Sequence, residues 1–474
     1  MTSIQGYKSW LRIIAWCCAD LFESSRGATS LVLMSITKDI LRHWALTAQI
    51  VLNILIGYLF IKFLASNWGA SAHKDAFDVA YSIPFLVISV SGVTFLEAVI
   101  TTQFSSMRRS EGFRANAMFS GMLNYLLVFS ACAISLSVIF VAPFTELLAP
   151  GLQESAQREA QQLILLFMPL VVVFGVGSLL SAILTAYEVP VGNEIYQLLS
   201  RVGLIGGWLI FGYTPSLNET AISLCVSGFC GLFFVWIIFS QVTKIQYQPG
   251  LSAANPEIQH VLSQGVGLFL TSILAQAALA YMRRLGSLDG VGTIAVLSYA
   301  LALIYPLTIL AAKPIALIIG PRYIRYMQSG DVASAQYILF ATCGGLLCIT
   351  VLVGAVIYGN AQEVIEFVLG GGKFYASVAS ATANLLKLAI WGLPAEAISR
   401  VLLVPLFNDG RMHTVSVIYS SRYMLQMGLS YALFNSVGRN GLVWSYVVAV
   451  GFQTLLEAGY LSYVVRQKVR FARS

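Results

Sequence analysis

Charge is scarce in this sequence: Asp, Glu, Lys and Arg make up 10% of 474 residues, hydrophobic residues make up 58%, and the mean hydropathy is +0.78. Soluble domains carry about 25% charged residues, so that class is excluded. Histidine is scarcer still, with four scattered at positions 43, 73, 260 and 413. There is no HExxH helix, phosphate loop or dinucleotide fingerprint. The longest loops expected outside, PFTELLAPGLQESAQREA and GNAQEVIEFVLGGGKFYAS, contain no histidine. A membrane polysaccharide polymerase or glycosyltransferase needs acids or histidine on a sizeable extramembrane loop, as base or metal ligand, and fits this chain poorly. All seven cysteines fall in apolar runs or in the first 44 residues, which predicts no structural disulfide. Short alternating segments of about 10 residues, the mark of a transmembrane barrel, are missing as well.

What is present is a series of apolar runs of about 20 residues, each long enough to cross the roughly 30 Å hydrocarbon layer as a helix. The fold class is therefore all-α and polytopic, with about twelve transmembrane helices. They are expected at 45–65, 76–103, 116–141, 161–186, 195–213 and 219–242, then at 258–281, 293–321, 335–358, 380–407, 412–435 and 440–465. Residues 1–44 mix apolar stretches with Arg12, Asp20, Glu23 and Arg26, and read as a segment lying on the membrane surface. No single apolar core there ends in a small-residue cleavage site, so a secretory signal peptide is not expected. With the first end inside, basic residues divide sixteen to six in favour of the inner segments, which predicts both termini cytoplasmic in a bacterial inner membrane. The net charge of +7 is mostly this orientation signal and implies no nucleic-acid partner.

The chain also repeats itself. An offset of 222 lays Ile83-Pro84 over Tyr305-Pro306 and Lys62 over Arg284, and brings NWGAS near GSLDGVG. LLAPGLQESAQ resembles FVLGGGKFYAS, Pro169 matches Pro394, and Ser200-Arg201 matches Ser421-Arg422. Matches in one order imply two six-helix lobes, 45–250 and 251–474, the second ending in a short basic tail, related by a pseudo-two-fold axis along the membrane normal. Such repeats place a binding site near the midplane and let the lobes rock around it, so transport is the natural reading. The matched prolines either loosen helices beside a cavity or belong to the many that membrane helices tolerate.

An ionisable group at the centre of a bilayer helix costs about 2.5 to 3.5 kcal/mol and faces protein or water. Glu396 and Arg400, four apart on one helix, are expected to pair, as are Arg422 and Glu457 on neighbouring spans. Lys62, Lys313, Arg283 and Arg284 belong to the first two spans of each lobe, the helices expected to line the cleft, and Arg201 enters a later span of the first lobe. On span two, Asp78, Ser82 and Ser89 lie within about 40° of one another, and Glu97 continues the stripe toward the cavity. Several cations around a buried acid suit a phosphate-bearing substrate, because guanidinium and ammonium replace the hydration that phosphate loses. The acids would balance that charge, take a proton or bind Na⁺.

Two stretches carry a family likeness. GAS-AHKDAFDVAYSIPFLV resembles the first lobe of the MurJ/MviN-type lipid II flippases, members of the multidrug/oligosaccharidyl-lipid/polysaccharide (MOP) exporter superfamily. VLGGGKFYASVASATANLLKLAIWGLPAEAISRVLLVPLFNDGRMHT looks like that family's tenth span and its flanks. LLAPGL and SYALALIYPL extend the resemblance over roughly residues 45–465. The departures are specific. In the lipid II flippases an Arg-Asp pair in span one, an Arg pair in span two and an Arg early in the second lobe face the cavity; those slots here hold Phe60 and Ile61, Ile88 and Ser89, and Ala302. The family's two further C-terminal helices have no expected counterpart, since VVRQKVRFARS follows span twelve.

The resemblance implies a flippase and no enzyme or resident cofactor; the moved charge implies a headgroup other than lipid II. The expected activity is translocation of a polyprenyl-diphosphate-linked oligosaccharide, an exopolysaccharide repeat unit, by alternating access. Lys62, Arg283, Arg284, Lys313 and Arg201 would hold the diphosphate, with Glu97 and Asp78 for coupling or charge balance. Coupling to H⁺, Na⁺ or the membrane potential stays open. Membrane lipids, glycosyltransferases and a polymerase are the implied partners. The alternatives are lipid II itself and a cation-coupled multidrug exporter of the same superfamily, whose site would favour acids and aromatics over basic residues.

Overall fold

A computed structural model describes residues 48, 51–91, 100, 101, 103–105, 112–187, 189, 198, 199, 201, 202, 215–248, 256–408 and 412–473; at 112, 113, 256–266, 268, 317, 318, 321, 407, 408 and 465–473 it describes the backbone. The chain divides into Met1–Leu52, of which residues 48, 51 and 52 are described, and Asn53–Ser474, which carries the architecture.

Among the described residues the elements are helices, apart from one isolated bridge between Gly371 and Phe374. In the first half they are α1 (Val51–Trp68), α2 (Ala72–Val90), α3 (Gly112–Ile139), α4 (Val141–Leu148), α5 (Glu154–Phe167), α6 (Leu170–Ala186) and α7 (Leu217–Val242). In the second half they are α8 (Pro256–Asp289), α9 (Thr293–Gln328), α10 (Val332–Gly359), α11 (Ala361–Leu369), α12 (Ala376–Ala389), α13 (Leu393–Asn408), α14 (Met412–Val437) and α15 (Arg439–Arg473). The repeat is visible in this order. The openings of α9, α10, α11, α12, α13 and α15 fall 220 to 223 residues after those of α2, α3, α4, α5, α6 and α7. One buried core forms around Phe119, Phe167 and Leu180 of the first half, and a second around Tyr299, Leu386 and Ile390 of the second half, which also takes in Ala65 of α1.

Local chemistry starts the helices. Ser71 Oγ accepts from Lys74 N at 3.3 Å and opens α2, Ser216 and Glu219 form a reciprocal box at the start of α7, and Asp331 accepts from Ser334 N at 3.0 Å at the start of α10. The side chain and then the backbone of Ser334 hold the Asp331 carboxyl below its ordinary range. Helix α2 runs on through Pro84, and α9 through Pro306.

Among the described residues seven helices are long and apolar enough to cross a bilayer, eight if α5 and α6, bent by 41° at their junction, are counted as one span. The expected twelve are not all visible, since most of 195–213 and part of 76–103 lie outside the described residues. Helices α8 and α14, 34 and 26 residues long, reach about 51 and 39 Å and have the length to cross. Their apolar character is interrupted by polar groups such as Arg422, Gln426 and Ser430, which α14 buries against its neighbours.

Candidate functional site

The two halves meet at the end of the bundle that carries the glycine turns, the end that the basic-residue count predicts to be outside. Asp75, in the first turn of α2, spends its carboxylate on the other half: Oδ2 accepts from Gly292 N at 2.6 Å and Oδ1 from Ala295 N at 2.8 Å, satisfying orphan N–H groups at the start of α9. Gly292 has φ +84°, and a Cβ there would lie 2.6 Å from the Ala70 carbonyl oxygen, so both backbone conformation and close approach require glycine. Tyr299 OH donates to Gly69 O at 2.8 Å, and Lys373 N donates to Ser66 O at 2.7 Å. Ser287 Oγ accepts from Gly151 N at 3.1 Å. In this state the lobes are stitched together at that end.

Under the seam lies a buried charge cluster. Lys74, 2% exposed, pairs with Asp78 one turn on, and its ammonium sits 4.8 Å from the centre of the Tyr299 ring. Asp78 Oδ2 is buried with no hydrogen-bond partner among the described residues. Across the seam, Arg283 of α8 interacts electrostatically with Asp78. Arg283 is half-buried and makes no hydrogen bond or ion pair among the described residues.

The expected substrate cations are engaged separately. Lys62 Nζ donates to Phe367 O at 3.4 Å, and Arg284 Nη1 donates to Leu147 O. Arg201 Nη1 donates to Asn53 Oδ1 at 2.7 Å and to Asn53 O at 3.0 Å, inside the first half. Lys313 is exposed on α9. Asp78 and Arg283 are brought together; Glu97 lies outside the described residues. Lys74 and Asp75 escaped the sequence reading. Lys74 sits in the polar turn between expected spans one and two, although its spacing of four from Asp78 is a usable signal. Asp75 looks like an acid complementing the dipole of its own helix, and nothing local announces that it caps another.

A second polar cluster lies inside the second half. Glu396 stands between two guanidiniums, with Oε1 3.5 Å from Arg400 Nη2 and Oε2 3.1 Å from Arg422 Nη2. Arg422 Nη1 donates to Gln453 Oε1 at 2.7 Å. The expected Arg422–Glu457 pair is not formed: Gln453, one turn before Glu457 on α15, intercepts the guanidinium, and Glu457 Oε1 accepts from Ser399 Oγ at 3.0 Å and Gln453 Nε2 at 2.8 Å. The Arg400 guanidinium lies 5.3 Å from the centre of the Tyr305 ring.

At the positions where lipid II flippases were expected to carry cavity arginines, packing has taken over. Phe60 and Ile61 lie against the two cores, Ile88 is buried, and Ser89 Oγ donates to its own helix at Phe85 O, 2.8 Å away. No group of three or more His, Cys, Asp or Glu side chains that could hold a metal ion occurs among the described residues.

A family model described as "Lipid II flippase MurJ" matches residues 64–473. The chain belongs to the MurJ family. The "Probable lipid II flippase MurJ" of Buchnera aphidicola subsp. Schizaphis graminum (strain Sg) is 21% identical over 385 residues, which cover 79% of this chain and 73% of that protein. A solved structure of "Lipid II flippase MurJ, inward closed conformation" superposes with a TM-score of 0.74 at 17% identity, covering 88% of this chain and 87% of the other. An inward-facing multidrug resistance MATE family transporter of the MOP superfamily gives 0.74 at 13% identity over 89% and 99%. The fold is that of the MOP exporters, and the chain is a MurJ-like multi-pass membrane flippase and not an enzyme.

Proposed function

We propose that this MurJ-family chain flips a polyprenyl-diphosphate-linked oligosaccharide, an exopolysaccharide repeat unit, from the cytoplasmic to the outer leaflet of a bacterial inner membrane. The observation that carries this reading is Arg283: a half-buried guanidinium at the seam between lobes, beside Asp78, with no hydrogen bond among the described residues. A cation that has lost water without gaining acceptors is costly. A diphosphate offers it paired oxygens in a geometry that guanidinium matches. Lys74 pairs with one oxygen of Asp78, so the acid tempers Arg283 without saturating it. Lys62 and Arg284 rest on backbone carbonyls, weaker acceptors that a phosphate displaces once the seam opens. Arg201 and Lys313 would extend the basic surface in each lobe, and Glu97 would balance it. The lipid tail stays in the bilayer, glycosyltransferases supply the substrate, and a polymerase consumes it.

Apolar packing at the slots expected to hold lipid II arginines favours a different headgroup. Family membership favours the second reading, lipid II itself. Depleting the protein in its own cells separates them. The first reading expects loss of polymer and a build-up of lipid-linked repeat units while peptidoglycan synthesis continues. Growth arrest with lipid II accumulating and polymer precursors unchanged contradicts it and supports the second.

A further inference from the structure

The second half contains a carboxyl group that its surroundings satisfy on one side only. Glu457 is 0% exposed. Its Oε1 accepts hydrogen bonds from Ser399 and Gln453, while Oε2 is buried with none among the described residues. The titratable groups around it are Glu396 and Arg400 of α13, Tyr419, Arg422 and Tyr423 of α14, Tyr305 of α9, and Tyr446 on its own helix. Neither arginine reaches it. Glu396 takes both guanidiniums, one on each oxygen, and the remaining Arg422 bond goes to the Gln453 carbonyl oxygen. Gln453 therefore stands as a neutral amide between Arg422 and Glu457, giving its oxygen to one and its NH₂ to the other. A bare carboxylate oxygen in a dry interior is expensive, whereas a carboxylic acid there is not.

The internal repeat shows that the fold does not need this group. Helices α7 and α15 correspond with an offset of 222, which places Val235 and Gly231 where the second half has Glu457 and Gln453. The stretch of α6 that corresponds to Glu396 is a run of three valines, Val171 to Val173. Of this group the first half keeps the cation Arg201, which donates to Asn53, and has apolar residues in place of both acids; the second half carries a charged chain. That chain runs from Glu457 through Gln453, Arg422 and Glu396 to Arg400, and ends at Tyr305, 59% exposed on α9, the helix whose start is held by Asp75 of the other half.

We propose that Glu457 is a proton-binding site that holds an exchangeable proton on Oε2 while the chain from Ser399 to Arg400 is assembled as seen here. Deprotonation places a second negative charge within reach of Arg422 and draws it from Gln453 toward Glu457. That shift loosens Glu396 and Arg400 and is felt at Tyr305. The step involves only the O–H bond of the carboxyl, with the proton taken from and returned to water.

The site itself is read by infrared spectroscopy of the purified protein in lipid vesicles, titrated from acid to alkaline pH. The wild type should show a protonated-carboxyl band that disappears on deprotonation and is absent in Glu457→Gln; the band should persist in Glu154→Gln, which alters an exposed acid. Identical spectra for wild type and Glu457→Gln overturn the proposal. Coupling, which rests on the flippase reading, is tested with a fluorescent polyprenyl diphosphate in vesicles under an imposed pH gradient. The gradient should change the wild-type rate by roughly tenfold and leave Glu457→Gln unchanged while its gradient-free exchange survives. Equal gradient responses in both proteins overturn the coupling. Absence of translocation in both, with the infrared band present, contradicts the flippase reading and leaves the proton site standing.

Discussion

Lys62 and Arg284 occupy equivalent places in the two halves, and each reaches across to the other: Lys62 to the carbonyl of Phe367 in the last turn of α11, Arg284 to that of Leu147 in the last turn of α4. The offset that superposes the cations nearly superposes their acceptors, so the contact is one latch made twice. Both cations lie at helix C-termini, where the exposed carbonyls carry partial negative charge.

The latch should set how tightly the glycine-turn end closes. Each cation at an exposed helix terminus contributes about 0.3 to 1 kcal/mol, so Lys62→Gln with Arg284→Gln shifts the closed state severalfold toward open. Spin labels at Asn67 and Tyr375, on either side of the Ser66–Lys373 contact, should report a longer distance population in the double variant than in the wild type. An unchanged distribution shows that the cations do not hold the lobes.

Asp75 is the stronger element of the seam, because it is buried and makes two charge-assisted bonds to the start of α9. Asp75→Ala strands Gly292 N and Ala295 N and should cost about 1 to 3 kcal/mol. A lowered thermal midpoint, only partly restored in Asp75→Asn, is expected; a midpoint equal to the wild type contradicts the cap.

Glycine at 292 is required for both space and backbone conformation. Gly292→Ala should lose at least about 1 kcal/mol from the positive φ alone, more from the Ala70 carbonyl. Gly459→Ala, inside α15 with nothing within 4 Å of the added methyl, should be neutral or slightly stabilising. Chemical denaturation of the two variants side by side gives the comparison, and equal stabilities would remove the steric argument.

Glu396 separates two arginines, and removing its charge leaves both without their shared counter-ion. Glu396→Gln should be destabilising by about 3 to 5 kcal/mol, the typical effect of breaking a buried pair. Replacing the exposed Glu154, paired with Arg158, should change stability by under about 1 kcal/mol. Thermal unfolding in detergent distinguishes the two, and a small effect at Glu396 contradicts its bridging role.

The repeat was legible because it is written in turns and prolines, which have few local solutions, and the described helices open at a spacing of 220 to 223 residues. The bilayer also made the class plain, since only long apolar helices satisfy their backbone there. The site was legible only in part. Lys62 falls over Arg284 in the sequence, yet their partners are backbone carbonyls, which carry no residue signature. Arg422 and Glu457 were expected to pair because their spans are adjacent. The outcome turned on Gln453 standing one turn earlier on the same face, a detail of rotation that adjacency cannot supply. Lys74 was hidden by its position in a polar turn, where an aromatic from the other half, Tyr299, covers it.

The central claim is that Arg283 receives a diphosphate between the lobes. The most direct measurement is translocation of a fluorescent polyprenyl-diphosphate saccharide by the purified protein in vesicles, with Arg283→Gln beside the wild type. The account predicts transport by the wild type and a loss of about tenfold or more in the variant, equivalent to about 1.4 kcal/mol, at unchanged thermal stability. Equal rates for the two proteins, or a wild-type rate no faster than that of protein-free vesicles, would contradict it.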